Sequence, residues 1–199
     1  MDKLSGLDSL VISQKHEWGE ILTGFETKNK YAVLDGSGNE LYMAIEEGGS
    51  TIFRMLLKAL RPFEISVRDF DNQLLIRVAR PFRFYFHQLN IYDSRGRLIG
   101  KVKRQFSILR RIYTVLDRAG NEIFQLFGPI LHPWTFEVKK GNRQFGKITK
   151  KWTGFVKEGF TDADNFGISF PAELDKDKKA ILLGAVFLID FVHFENSGD

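Results

Sequence analysis

The sequence predicts a mainly β protein: an antiparallel closed barrel of about twelve short strands around one central, hydrophobic C-terminal helix. Three observations carry that expectation. A turn recurs: Val33-Leu-Asp35-Gly-Ser-Gly38-Asn-Glu-Leu41-Tyr42 sets two apolar runs around an Asp/Gly pair, and the plan returns at Val67–Leu74, Ile91–Leu98, Val115–Ile123 and, degraded, Val138–Phe145. From Asp69 onward the turns fall about every 24 residues, the length of a hairpin plus its return, so a meander fits. Finally, thirteen of the fifteen residues from Ala180 to Phe194 are apolar or Gly, and they face all sides of a helix. Such a helix must be buried.

Each element has a local reason. Residues 1–8 read as a short flexible tail and 9–199 as a single domain. Leu10–Ser13 is a first strand, Glu17–Leu22 a second and Tyr31–Leu34 a third. In the repeated turns Asp bonds its own backbone and Gly supplies the left-handed residue. Alternation in Phe63-Glu-Ile-Ser-Val67 and Lys101-Val-Lys103 suits half-buried strands. Thr51–Leu60 breaks the pattern, with Arg54, Lys58 and Arg61 on one face of a helix that either caps the barrel or lies on an anionic membrane. So many antiparallel edges are hidden by closure, the alternative being a β-sandwich with a helix on one face. Fifteen helical residues rise only about 22 Å, against about 30 Å of bilayer hydrocarbon. With Asp190 and His193 inside it, the helix is expected within protein rather than lipid, although both settings select the same side chains.

Composition narrows the function. The chain has 199 residues, 43% hydrophobic and 27% charged, which is globular, and a net charge of +4 that permits an anionic partner. It has no Cys, which excludes disulfides, thiol nucleophiles and palmitoylation. No apolar leader or myristoylation pattern opens it, so a cytosolic location is expected. No Gly-x-Ser-x-Gly, phosphate loop, dinucleotide fingerprint or zinc-protease motif is present, and His16, His87, His132 and His193 are scattered, so an enzyme is not expected.

Two constellations remain. In Asp162-Ala-Asp164-Asn-Phe-Gly167-Ile-Ser-Phe-Pro-Ala-Glu173 the acids and the Gly match positions 1, 3, 12 and 6 of a calcium loop. Phe166 and Phe170 occupy ligand positions 5 and 9, however, and alternation of Phe166, Ile168 and Phe170 suits a strand after an Asp-rich turn better. Basic residues cluster at Lys101, Lys103, Arg104, Arg110 and Arg111, and again at Lys147, Lys150, Lys151 and Lys157 with Trp152 and Phe155 among them. Basic groups with aromatics suit a headgroup interface or nucleic acid, the alternative for most of these residues being a solvated strand face with buried aromatics.

The stretches Gly146-Lys-Ile-Thr-Lys-Lys-Trp152-Thr-Gly154, Phe160–Pro171 and Leu183–Phe191, with Gly24–Tyr31 and Arg80-Pro81-Phe82, resemble the phospholipid scramblases. The resemblance runs from about Leu10 to the end of the helix and implies a tubby-like barrel around a central helix. It implies calcium-dependent, ATP-independent, bidirectional movement of phospholipids between leaflets. It also implies Ca2+ at the segment whose liganding positions are Asp162, Asp164, Phe166, Ile168, Phe170 and Glu173. The helix 179–194 matches one often described as membrane-spanning, and Gly146–Trp152 a stretch linked to nuclear import. Headgroup binding is expected at Lys101, Lys103, Arg104, Lys147, Lys150, Lys151 and Trp152. Expected partners are thus an anionic phospholipid membrane, with a second copy, import machinery or DNA after it. The expected place is the cytoplasmic face of a membrane, or else the nucleus. A phosphoinositide-binding module that moves no lipid is the other reading. The chain lacks the family's long Pro-rich N-terminal region and its Cys cluster.

Overall fold

A computed structural model describes residues 2–14, 29–47, 62–82, 87–150 and 165–194. Among them twelve antiparallel strands form a closed barrel: β1 (Ser9–Gln14), β2 (Lys30–Asp35), β3 (Glu40–Glu47), β4 (Phe63–Arg68), β5 (Leu74–Arg80), β6 (Gln88–Asp93), β7 (Leu98–Arg104), β8 (Arg111–Asp117), β9 (Glu122–Gly128), β10 (Thr135–Lys140), β11 (Arg143–Lys150) and β12 (Asn165–Ser169). Each pairs with its sequence neighbour, and β12 closes on β1 from Ser9↔Ser169 to Ser13↔Asn165. The barrel is the predicted one. The expected strand Glu17–Leu22 and helix Thr51–Leu60 lie outside the described residues.

The repeated turn has one geometry. At Asp35, Asp69, Asp93 and Asp117 the carbonyl accepts from the N–H three residues on, and the Asp N–H donates to the carbonyl four residues on. The carboxylate accepts too, as at Asp93, from the N–H groups of Arg95 and Arg97 at 2.9 Å. The third residue after each Asp is left-handed: Gly38, Asn72, Gly96 and Gly120, with φ of 87°, 61°, 75° and 90°. A register shift precedes each of the five short turns, including the degraded one at Val138/Lys139. One unpaired residue per hairpin tightens the local twist, which helps the sheet curl closed.

Helix α1 (Lys176–His193) fills the barrel. It begins four residues before the apolar run, because Asp175 caps it by accepting from the Lys178 N–H at 2.9 Å. Every residue from Lys179 to Phe191 is buried, as an all-round apolar helix requires. It lies closest to β6 and β7. There an added Cβ on Gly184 would stand 2.8 Å from Ile91 Cγ1, and one on Gly100 would strike Ile181. Inward side chains such as Val102, Val115, Leu126, Val138 and Ile148 complete the core. Outward positions of β4, β5 and β10 carry ion pairs, Arg77–Glu64 at 3.4 Å and Lys139–Glu137 at 2.6 Å. β1–β3 depart from alternation, being buried on both faces.

Residues 2–8, expected as a short tail, pack against the barrel and the helix. Asp2–Leu4 is a 3-10 turn with Leu4 buried. The Lys179 ammonium, fully buried, donates to the carbonyls of Leu4 (3.0 Å), Leu7 (2.7 Å) and Ala172 (2.7 Å). Its three protons are therefore spent on three backbone acceptors, tying the N-terminal segment, the β12–α1 link and the helix into one knot. Burial pushes its pKa down, against the pull of Glu173, Asp8 and Asp175.

Candidate functional site

The topology makes the two ends of the barrel unlike. The five tight hairpins and the start of α1 share one end. The strands finishing at Gln14, Glu47, Arg80, Arg104, Gly128 and Lys150 all finish at the other, with the last turn of α1 between them.

The hairpin end holds an open cleft of about 780 Å³ between α1 and the Asp93 and Asp117 turns. Acids and bases alternate there: Arg97 pairs with Asp93 at 2.7 Å and Lys178 with Asp175 at 2.6 Å. It therefore presents no single sign of charge to a ligand.

The opposite mouth is built differently. Asp190, buried on α1, accepts from Tyr31 Oη at 3.0 Å, and fully buried Glu46 accepts from Asn29 Nδ2 at 2.7 Å. One turn further, His193 Nε2 meets Tyr113 Oη at 2.8 Å, and Arg80 Nη2 contacts His87 Nδ1. Burial, then the charges of Arg104, Arg111 and His87, push the His193 pKa down to about 3. Burial, then Arg80 and Arg104, push His87 down to about 4. Both imidazoles are thus neutral at physiological pH, and the positive charge acting on them is that of Arg80, Arg104 and Arg111. Aromatic rings seal the helix end: Phe63 stacks on Phe191 at 4.0 Å and Trp134 on Phe194 at 5.4 Å.

The expected headgroup residues divide between this mouth and the outer wall. On β7, Arg104 shares its face with buried Val102, and its charge acts on both mouth histidines, whereas Lys101 and Lys103 take the outward positions. On β11, Lys150 lies 4.8 Å over the Phe194 ring at the mouth, while Lys147 points out between strands. Lys101 and Lys147 stand four strands apart, roughly 19 Å at the usual spacing, so the lysines do not form one patch. Lys151 and Trp152 lie outside the described residues.

Of the expected calcium segment, Asp162 and Asp164 also lie outside them. Phe166 and Ile168 are buried in β12, which pairs on both sides, with β1 and β11, so this stretch takes the strand reading. Glu173 is exposed beyond the far end of the strand, about 13 Å of extended chain from Asn165 to Ser169 intervening. The described part of the segment is therefore not wrapped as one loop, and the donors that fit calcium's preference for carboxylate oxygen are Asp162 and Asp164. Among the described residues no group of three or more His, Cys, Asp or Glu could hold a metal ion, and no helix is long and apolar enough to cross a membrane.

Sequence reasoning missed the convergence of Arg80, His87, Tyr113, Asp190 and His193, which are far apart in the chain. It also missed the loop residues Phe106, Ile108, Leu109, Ile130 and Leu131, all exposed. A signal existed: apolar runs in turn positions, bounded by Pro129 and Pro133 in one case, where polar residues are usual.

Comparison with known proteins places this architecture. The family model Scramblase matches residues 1–196. Phospholipid scramblase 1 of Homo sapiens is 35% identical over 212 residues, covering 100% of this chain and 66% of its own length. The Mus musculus protein of the same name is 34% identical, with 100% and 65% covered. Phospholipid scramblase family member 5 of Homo sapiens is 35% identical, with 99% and 78% covered. The chain thus spans 66% and 65% of the length of these two phospholipid scramblase 1 proteins. A solved structure of a protein from Arabidopsis thaliana shares the fold, with a TM-score of 0.51 at 11% identity over 96% of each chain.

Proposed function

The chain belongs to the scramblase family, and from that membership we propose that it moves phospholipids between the leaflets of a bilayer, without ATP and in both directions. The observation that carries the reading is the family match from residue 1 to residue 196, which spans the whole barrel and the helix inside it. The proposed setting is the cytoplasmic face of a membrane containing anionic phospholipid, met through arginines and lysines.

The structure constrains how such movement would work. The barrel is filled by α1, so no passage runs along its axis. Its outer wall bears ion pairs where a membrane-spanning barrel presents an apolar band. A lipid would therefore travel along the protein's surface. The barrier in pure bilayer is the cost of drawing a charged headgroup through hydrocarbon, and polar and cationic groups held at the interface lower it by replacing lost hydration. Calcium belongs to this proposal through the carboxylates of Asp162 and Asp164, which would hold the ion so that it supplies local positive charge to phosphate. The expected assay result is loss of leaflet asymmetry for a labelled phospholipid in vesicles carrying the purified chain, faster with calcium. Bound protein that moves no lipid in either condition refutes the reading.

A second reading has its own observation. A helix buried from Lys179 to Phe191 inside the barrel cannot also span a bilayer, which favours a lipid-binding module that stays on the surface. That reading expects salt-sensitive binding to anionic vesicles and no flipping.

A further inference from the structure

Among the described residues eight large apolar side chains are strongly exposed, and seven of them lie at the mouth where α1 ends; Phe70, on a hairpin, is the exception. Five belong to two neighbouring loops. Phe106, Ile108 and Leu109 sit between β7 and β8, Ile130 and Leu131 between β9 and β10, each 64–87% exposed. Scattered single apolar residues need no explanation, but a concentration at one end does.

The loops are held as a unit. β8 pairs with β9 from Arg111↔Gly128, which sets their roots side by side. At the root of the β7–β8 loop, Arg111, the first residue of β8, donates its guanidinium N–H groups into the β9–β10 loop, to the carbonyls of Pro129 (3.1 Å), His132 (3.2 Å) and Pro133. The tips are thus presented by a braced frame.

Charge decides what fits them. No Asp or Glu occurs from Arg104 to Leu116 or from Ile123 to Phe136, while Arg104, Arg110 and Arg111 border the tips. Four of the five hairpin turns at the other end each carry at least one Asp. An apolar tip set in a cationic, acid-free collar is the complement of an anionic bilayer: alkyl groups enter the acyl boundary and guanidinium groups meet phosphate.

We propose that these two loops form a membrane-inserting face, so that the barrel stands on an anionic bilayer with the end of α1 towards the lipid. This rests on the lipid-directed reading above and specifies the face that docks. It brings the mouth with Arg104 and Lys150 to the headgroups and keeps the Asp-turn end away.

The chain has no cysteine, so single labels are clean. The full chain carrying Ile108→Cys, Leu131→Cys or, at the opposite end, Ala119→Cys is labelled with a polarity-sensitive fluorophore. It is mixed with phosphatidylcholine vesicles with or without phosphatidylserine. The expected result is a blue shift, and quenching by spin-labelled acyl chains, at 108 and 131 only, and only with phosphatidylserine. Ile108→Ser with Leu109→Ser is expected to lower vesicle partitioning about tenfold or more with thermal stability unchanged. Sedimenting protein whose labels at 108 and 131 stay in water overturns this face while leaving membrane action standing. No sedimentation with either vesicle overturns both. A shift that grows with protein concentration without vesicles identifies a second copy as the occupant and overturns the proposal. Insertion of both loops without lipid movement supports this face and counts against lipid transport.

Discussion

Lys179 offers the sharpest test of how the helix is kept inside the barrel. Lys179→Met retains length and apolar stem but removes three donors. The carbonyls of Leu4, Leu7 and Ala172, now 2.7–3.0 Å from the ammonium, lose that partner. A buried acceptor left without a donor costs about 1–3 kcal/mol, so three give roughly 3–9 kcal/mol. Removing a buried charge returns several kcal/mol of desolvation. The balance is a destabilisation of about 3 kcal/mol. With a urea m-value of about 2 kcal/mol/M the unfolding midpoint should fall by roughly 1.5 M at unchanged m. Because two of the acceptors belong to residues 2–8, amide exchange at that segment should rise before global unfolding. Lys178→Met is the control: it loses an exposed pair with Asp175 at 2.6 Å, expected to cost under about 1 kcal/mol. If Lys179→Met unfolds within about 0.5 kcal/mol of the parent chain, the knot is not a determinant of stability and the argument from satisfied carbonyls fails.

Other consequences are equally direct. A Cβ at Gly146 would fall on the Ser169 carbonyl of the paired strand, so Gly146→Ala should cost more than about 3 kcal/mol by chemical denaturation. Gly120→Ala, with φ of 90° and open space, should cost only about 1 kcal/mol. His87 and His193 have folded pKa values below the unfolded 6.5, so the unfolded chain binds more protons as pH falls. Stability should decline from about pH 6.5 down to about 4 for His87 and about 3 for His193, and less steeply in His193→Gln, as followed by melting temperature across pH. A second acid phase is expected lower. Asp93 is raised by burial but lowered further by its bonds from Arg97 and Arg95, so its contribution is present above the usual carboxylate pKa and lost as pH falls through the depressed one. Asp93→Ala removes those bonds and should cost about 1–2 kcal/mol while abolishing this turn's share of the acid phase, measured by urea titration at neutral and acidic pH.

By itself the sequence determined whatever a short window encodes. The turn at Asp35, Asp69, Asp93 and Asp117 is legible because the carboxylate and the left-handed residue three places on close it within five residues. The apolar stretch ending α1 is legible because no other environment accepts a helix without a polar face, and the family was legible in the C-terminal third. Tertiary structure alone decided the rest. Whether Ala180–Phe194 sits in lipid or protein is a matter of what surrounds it, since Leu182 and Phe187 suit either solvent equally. Leu4 reads as part of a tail until Lys179, 175 residues away, donates to its carbonyl. Arg104 and Lys103 are adjacent in sequence, yet the two-residue period of a strand sends one to the mouth beside His193 and the other to the wall. The braced apolar tips arise only because closure sets the β7–β8 loop beside the β9–β10 loop, where Arg111 can join them.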